Sequence, residues 1–159
     1  MTPIHFGTRE RMLFGIYYPA AAKPVREAGV VICPPVGTEY VQTYRALRQV
    51  ALYLSNAGYH VLRFDYFGTG DSSGDTIEAS FPQWLRDVST ALNELKDTAG
   101  VSQCSLIGLR LGASLALLSA AERNDIRDII LWDPVVRGQD YIDDLRHNAK
   151  GRLASNGAR

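Results

Sequence analysis

Several ingredients of specialised proteins are scarce in this chain of 159 residues. Cysteine occurs twice, at Cys33 and Cys104, which makes neither a disulfide framework nor a metal-ligand spacing. A reducing compartment is the expectation. Net charge is missing, since 17 Lys and Arg balance 17 Asp and Glu. With no excess of charge and no basic run, nothing here would draw nucleic acid or an anionic membrane to the chain. Long apolar runs are missing too. Stretches such as Gly29–Cys33 fall far short of the roughly 20 residues a membrane-spanning helix needs. The opening Met1-Thr2-Pro3-Ile4-His5 lacks the charged-then-apolar order of a secretory leader. No repeat of solenoid length occurs. Histidine stands only at His5, His60 and His147.

What is present suits one folded domain. Hydrophobic residues make up 46% of the chain, enough for a single core, and charged residues make up 21%, too few for a disordered chain. A soluble, cytoplasmic protein is expected, with no cofactor and no metal.

The pattern along the chain alternates strands and helices. Pro3–Phe6 and Met12–Tyr18 are rich in β-formers and read as a hairpin around Gly7-Thr8-Arg9-Glu10. Gly29–Cys33 is continuously apolar, as in a strand buried on both faces. Pro34-Pro35-Val36-Gly37 interrupts regular structure, and the spacing of Leu47, Val50, Ala51 and Leu54 predicts a helix over Tyr44–Ser55. Tyr59–Phe64 reads as a strand and Asp65–Asp75 as a Gly-rich loop. Phe81–Lys96 reads as a helix with Ser80 as its cap and Pro82 in its first turn. Ser102–Ile107 and Ile126–Trp132 read as strands around a helix over Gly112–Ala121. Such alternation builds βαβ units, so the expected fold class is α/β: three layers, α/β/α, with a mainly parallel sheet and an N-terminal β-hairpin. Asp140–His147 is a candidate helix with Tyr141, Ile142 and Leu145 on its apolar side. Residues 150–159 are polar and expected to form a disordered tail.

In such sheets chemistry sits beyond the carboxyl ends of the strands. There Gly108-Leu109-Arg110-Leu111-Gly112 bridges a strand and a helix. It has the form of a nucleophile elbow, G-x-S-x-G, with Arg110 in the serine position. The central residue of such a turn takes a strained backbone, and Gly108 and Gly112 let strand and helix cross closely. Arginine stays protonated, so Arg110 is no acyl-transfer nucleophile. Ser114 lies inside the following helix, Ser105 inside a strand, and Cys33 ends a strand with no base in view. Gly68-Thr69-Gly70-Asp71-Ser72-Ser73-Gly74 also follows a strand, but no helix opens directly after it, so it lacks the phosphate-binding helix terminus of a dinucleotide loop.

Four motifs in sequence order resemble those of the α/β-hydrolase family, in its serine aminopeptidase and esterase branch, over Ile4 to Val136. Val30–Gly37 resembles the third strand and its oxyanion loop. Arg63–Ser72 resembles the D-x-x-G-x-G-x-S loop after the fourth strand. Gly108–Gly112 resembles the elbow after the fifth. Ile129–Pro134 resembles the sixth strand and its end. A subgroup of exosortase-associated hydrolase-like proteins, encoded near polysaccharide-export genes, carries a similar G-x-R-x-G turn. The resemblance implies ester, thioester or amide hydrolysis, a truncated α/β-hydrolase fold, and an incomplete hydrolase-like domain over residues 1–149. It implies oxyanion-hole-like positions at Val36 and Leu111, a weak acid candidate at Asp133, and a structural role for Asp65, Gly68 and Gly70 in their loop.

The family usually draws its acid and histidine from after the seventh and eighth strands, and none of the three histidines matches that position. The expected function is therefore a catalytically degenerate hydrolase. In it, Arg110 either pairs with a carboxylate such as Glu39 or Asp133, or helps bind a small anionic or acyl ligand. The alternatives are a truncated chain acting through assembly or not functional, and an active hydrolase with an unconventional site around Asp133 or Ser114. The apolar second half of Ile126–Trp132 is expected to form an open sheet edge that supports self-association.

Overall fold

The β-formers of the first residues make two antiparallel strands with a shorter turn than their composition suggests. The computed structural model describes the backbone of residues 1–156 and the side chains of residues 1–147. In it β1 (Thr2–Thr8) and β2 (Arg11–Tyr18) pair from Thr2↔Tyr17 to Thr8↔Arg11, so the loop is residues 9–10 alone. Gly7, expected in the turn, is a ladder residue opposite Met12. The remaining strands are β3 (Ala28–Cys33), β4 (His60–Phe64), β5 (Gln103–Leu109) and β6 (Ile126–Trp132). They assemble in the order β1-β2-β4-β3-β5-β6. β3 is parallel to β4 and β5, and β5 to β6, while β2 is antiparallel to β1 and β4.

Side-chain alternation divides β3 between two cores. Val30 and Ile32 join Val61, Ile107 and Leu109 under Leu47 and Ala51 of α1 (Gly37–Asn56). Val31 and Cys33 join Leu62 and Leu106 under Val88 and Leu92 of α2 (Phe81–Ala99) and Leu115 of α3 (Leu111–Ala121). Burial on both faces explains why β3 reads as an unbroken apolar run.

Several boundaries differ from expectation. α1 starts at Gly37, seven residues before Tyr44, because a proline restrains the residue before it and not those after it. Its first two turns are largely polar and carry no apolar period. α2 continues to Ala99 and stops at Gly100, whose left-handed backbone ends it. Ser80 occupies the cap position of α2, but its hydroxyl is bonded to the Gln83 side chain and not to a backbone N–H. β5 runs two residues past Ile107, which leaves a single residue between it and α3. α4 (Gly138–Asn156) extends in both directions beyond Asp140–His147. Of the tail expected over 150–159, the backbone as far as Asn156 is helical, and 157–159 lie outside the described residues.

Candidate functional site at the β5–α3 turn

Arg110 is the only residue between β5 and α3, and it has φ 55° and ψ −121°. Such a backbone costs a non-glycine residue on the order of 1–3 kcal/mol. Its neighbours show what enforces it. A Cβ on Gly108 would lie 2.4 Å from the Ala113 Cα, and one on Gly112 would lie 2.3 Å from the Cys33 carbonyl oxygen. The helix thus crosses the ends of its own strand and of β3 at a distance only glycine permits. The Arg110 N–H donates to the Trp132 carbonyl at 3.0 Å, which ties the turn to the end of β6.

The Arg110 side chain is paired on two sides. Its Nε donates to Glu39 Oε1 at 2.9 Å and an Nη donates to Asp133 Oδ2 at 3.1 Å. Both carboxylates named from sequence as partners are engaged. The Tyr141 hydroxyl donates to the second Glu39 oxygen at 2.9 Å, and the guanidinium carbon lies 5.6 Å from the centre of the Tyr141 ring. The bond to Glu39, ahead of the charges around it, raises the Arg110 pKa further. Burial, then Glu39, push the Tyr141 phenol well above its ordinary value. Asp133 also has a positive φ, 49°, and among the described residues these two paired side chains stand on the only positive-φ backbone outside glycine. Sequence reasoning assigned Tyr141 to the apolar side of a helix and missed its place here. A tyrosine on a largely polar helix was the available signal.

The other candidates separate from this cluster. Leu111 opens α3, so its N–H is one of the first-turn amides without an intrahelical acceptor, and Val36 is the N-cap residue of α1. Ser114 donates to the Val135 carbonyl at 2.7 Å and Ser105 donates to Asp128 at 3.1 Å, both structural uses. Cys33 is fully buried, and burial pushes its thiol up to about 12, which leaves no thiolate at neutral pH. His5 lies on β1. His60 sits at the amino end of β4, its Nδ1 bonded to the Tyr17 hydroxyl at 2.5 Å. His147 is exposed on α4, about 9 Å along the axis from Tyr141 at ~1.5 Å per residue.

The loop after β4 is held from inside. Asp65 accepts from the Tyr40 hydroxyl at 2.7 Å and from the Asp71 N–H at 3.1 Å. The Gly68 N–H donates to the Ser73 carbonyl at 2.9 Å, and Gly70 packs against the Asp65 carboxylate. Burial raises the Asp65 pKa above the usual carboxylate value.

The fold that carries this turn has counterparts among known proteins. Residues 27–156 match the family described as serine aminopeptidase, S33. The chain belongs to this family of α/β hydrolases. Human mitochondrial palmitoyl-protein thioesterase ABHD10 is 29% identical over 98 residues, which cover 62% of this chain and 30% of that protein. The rat protein of the same name is 28% identical over 100 residues, 62% of this chain and 31% of its own length. The chain thus spans about a third of the curated relatives it matches. A Pyrococcus furiosus esterase superposes with a TM-score of 0.69 at 21% identity, covering 90% of this chain and 56% of the esterase. Mouse alpha/beta hydrolase domain-containing protein 10 superposes with a TM-score of 0.60 at 22% identity, covering 81% and 48%. At such identities the superpositions establish the fold. Among the described residues no helix is long and apolar enough to cross a membrane.

Proposed function

We propose that this hydrolase-family chain is catalytically degenerate, and that the β5–α3 turn is the family's nucleophile elbow in backbone form without a nucleophile. One observation carries the reading: the residue on the strained backbone is Arg110, and its guanidinium is engaged by Glu39 and Asp133. An arginine held in this way neither attacks a carbonyl nor accepts a proton. The nearby Ser114 hydroxyl donates to the Val135 carbonyl, so an unconventional serine site there lacks a base.

The ligand class we favour is an uncharged acyl group. The shallow hollow beside Arg110 has Pro134, Val135, Val136 and Tyr141 in its wall, together with the charged Arg137, Asp140 and Asp144. One guanidinium facing two carboxylates leaves the cluster with a negative balance, which disfavours an anion. Cytoplasmic residence belongs to the same proposal and is supported by two buried, unbridged cysteines.

The test is activity-based labelling with a fluorophosphonate, together with release assays on short-chain aryl esters and an acyl thioester, the substrate class named in the ABHD10 relatives. No label and no release above the rate without protein is the expected result, for the wild type and for Arg110→Ser alike. Stoichiometric labelling that disappears on replacing a single serine overturns the proposal.

A further inference from the structure

Arg63 brings a positive charge into the middle of the sheet. It stands on β4 between Ile16 of β2 and Ile32 of β3, and it is only 7% exposed. Its guanidinium carries five N–H donors. One of them donates to the Tyr18 hydroxyl at 3.3 Å, and the guanidinium carbon lies 4.5 Å from the centre of the Tyr44 ring. Among the described residues the other donors meet no acceptor, and no carboxylate reaches the group as an ion pair. A buried charge is costly unless a counter-charge or hydrogen bonds satisfy it.

The surroundings select what satisfies this one. Asp65 follows two positions later, so its side chain leaves the same face of the sheet. Its oxygens accept from the Tyr40 hydroxyl and the Asp71 N–H, and a carboxylate has about four acceptor positions, so capacity remains. Tyr40 and Tyr44 are one helical turn apart on α1, with ring centres 5.8 Å apart. Two charges on the strand thus meet two tyrosines on the helix, Tyr40 bonded to Asp65 and Tyr44 stacked on Arg63. These four side chains help wall a hollow in which the centre of a water molecule has about 20 Å³. One water needs roughly 10–15 Å³ and two to four polar partners. The hollow therefore admits a single water and excludes an organic group. Its charges select against ions. Asp71 lines it as well, so an anion would meet two carboxylates beside one guanidinium, and a cation would meet the guanidinium.

We propose that this hollow is a hydration site, in which one ordered water accepts from the Arg63 guanidinium and bonds to the Asp65 carboxyl group. The water joins two buried charged residues that do not touch, and it lies under the opening turns of α1. Glu39, the residue before Tyr40, is the partner of Arg110. The hydrated pair thus helps seat the turn that presents Glu39 to Arg110. The inference stands apart from the absence of catalysis at Arg110, since it concerns β4 and α1 alone.

The test is a high-resolution crystal structure of the 159-residue chain in sodium bromide, with anomalous data at the bromine edge. The expected result is a density peak within about 3.2 Å of both an Arg63 nitrogen and an Asp65 oxygen, with no anomalous signal. An anomalous peak there overturns the proposal, because the site would then be an anion site. A direct Arg63–Asp65 contact overturns it as well, and so does the lack of any peak. A double-mutant cycle of Arg63→Met and Asp65→Asn, read by urea titration, supplies the solution measurement. The two substitutions are expected to couple by at least about threefold in the unfolding constant, because either one removes a partner of the same water. Coupling below that factor overturns the proposal. The crystallographic result concerns the wild-type chain and holds even where a variant fails to fold.

Discussion

The loops that leave β4 and β5 hold their charged side chains in opposite ways. After β4 the two carboxylates that hold the loop are inside. Asp65 is bonded to Tyr40 and the Asp71 N–H, and Asp87, reaching in from α2, accepts from the Phe67 N–H at 2.9 Å and from Arg11 at 2.9 Å. Each carboxylate satisfies a backbone amide of the loop, so the loop is part of the core. After β5 the charges lie nearer the surface, where Arg110 is fastened over a strained turn to a half-buried Glu39 and to Asp133, whose side chain is 71% exposed. A buried pair broken on one side costs several kcal/mol, while an exposed pair contributes about 0–1 kcal/mol. The conspicuous residue of the sequence motif is therefore not the one on which stability rests. The β4 loop secures the fold more than the β5 turn does.

The largest expected effect lies in the β4 loop. Asp87→Ala strands the Phe67 N–H and the Arg11 guanidinium, and is expected to lower the unfolding free energy by about 3–5 kcal/mol in a urea titration. A loss below about 1 kcal/mol would erase the contrast between the two loops.

An intermediate effect belongs to Asp65, whose replacement by Asn is expected to cost about 1–3 kcal/mol through its hydrogen bonds. Its pH dependence sharpens the comparison. Burial raises its folded pKa above the unfolded value, so the folded protein binds a proton in a window where the unfolded chain does not. The stabilisation from that proton is fully present below the unfolded value and is lost as pH rises through the folded one. The stability advantage of wild type over Asp65→Asn should shrink upward from about pH 4, as measured by urea titrations at stepped pH. An advantage that grows with pH would mean the carboxylate is stabilised in the fold, with hydrogen bonding outweighing burial.

The smallest effect is expected at the motif itself. Arg110→Gly removes two ion pairs but relieves a positive φ, and the two changes offset to within about 1 kcal/mol. Thermal and urea unfolding would read it. A loss above about 3 kcal/mol would show that the Arg110–Glu39–Tyr141 cluster braces the fold as firmly as Asp87 does.

Much of the architecture was legible along the chain because it rests on local signals. β6 was read to its last residue, since a continuous apolar run bounded by charge and proline admits few alternatives. The strained turn was legible as well, because two glycines bracketing one residue between a strand and a helix mark a close crossing. The start of α1 was not legible, since its polar opening turns carry no period that core packing would impress. Nor was the backbone of Asp133, whose positive φ has no glycine or turn pair to announce it.

By itself the sequence determined the alternation of strands and helices, the positive φ at position 110, and the exclusion of an acyl nucleophile there. Each of these depends on steric and ionisation properties of a few neighbouring residues. Only the tertiary structure decided what the Arg110 side chain engages. Glu39 lies 71 positions before it, and Tyr141 lies 102 positions beyond Glu39. Their convergence follows from the order of strands in the sheet, which sets α1 and α4 beside the same strand end. The tertiary structure also decided that Glu39 and Asp133 both engage one guanidinium. Electrostatic pairing at hydrogen-bond distance depends on positions that sheet packing assigns, and a list of charges along a chain does not contain them.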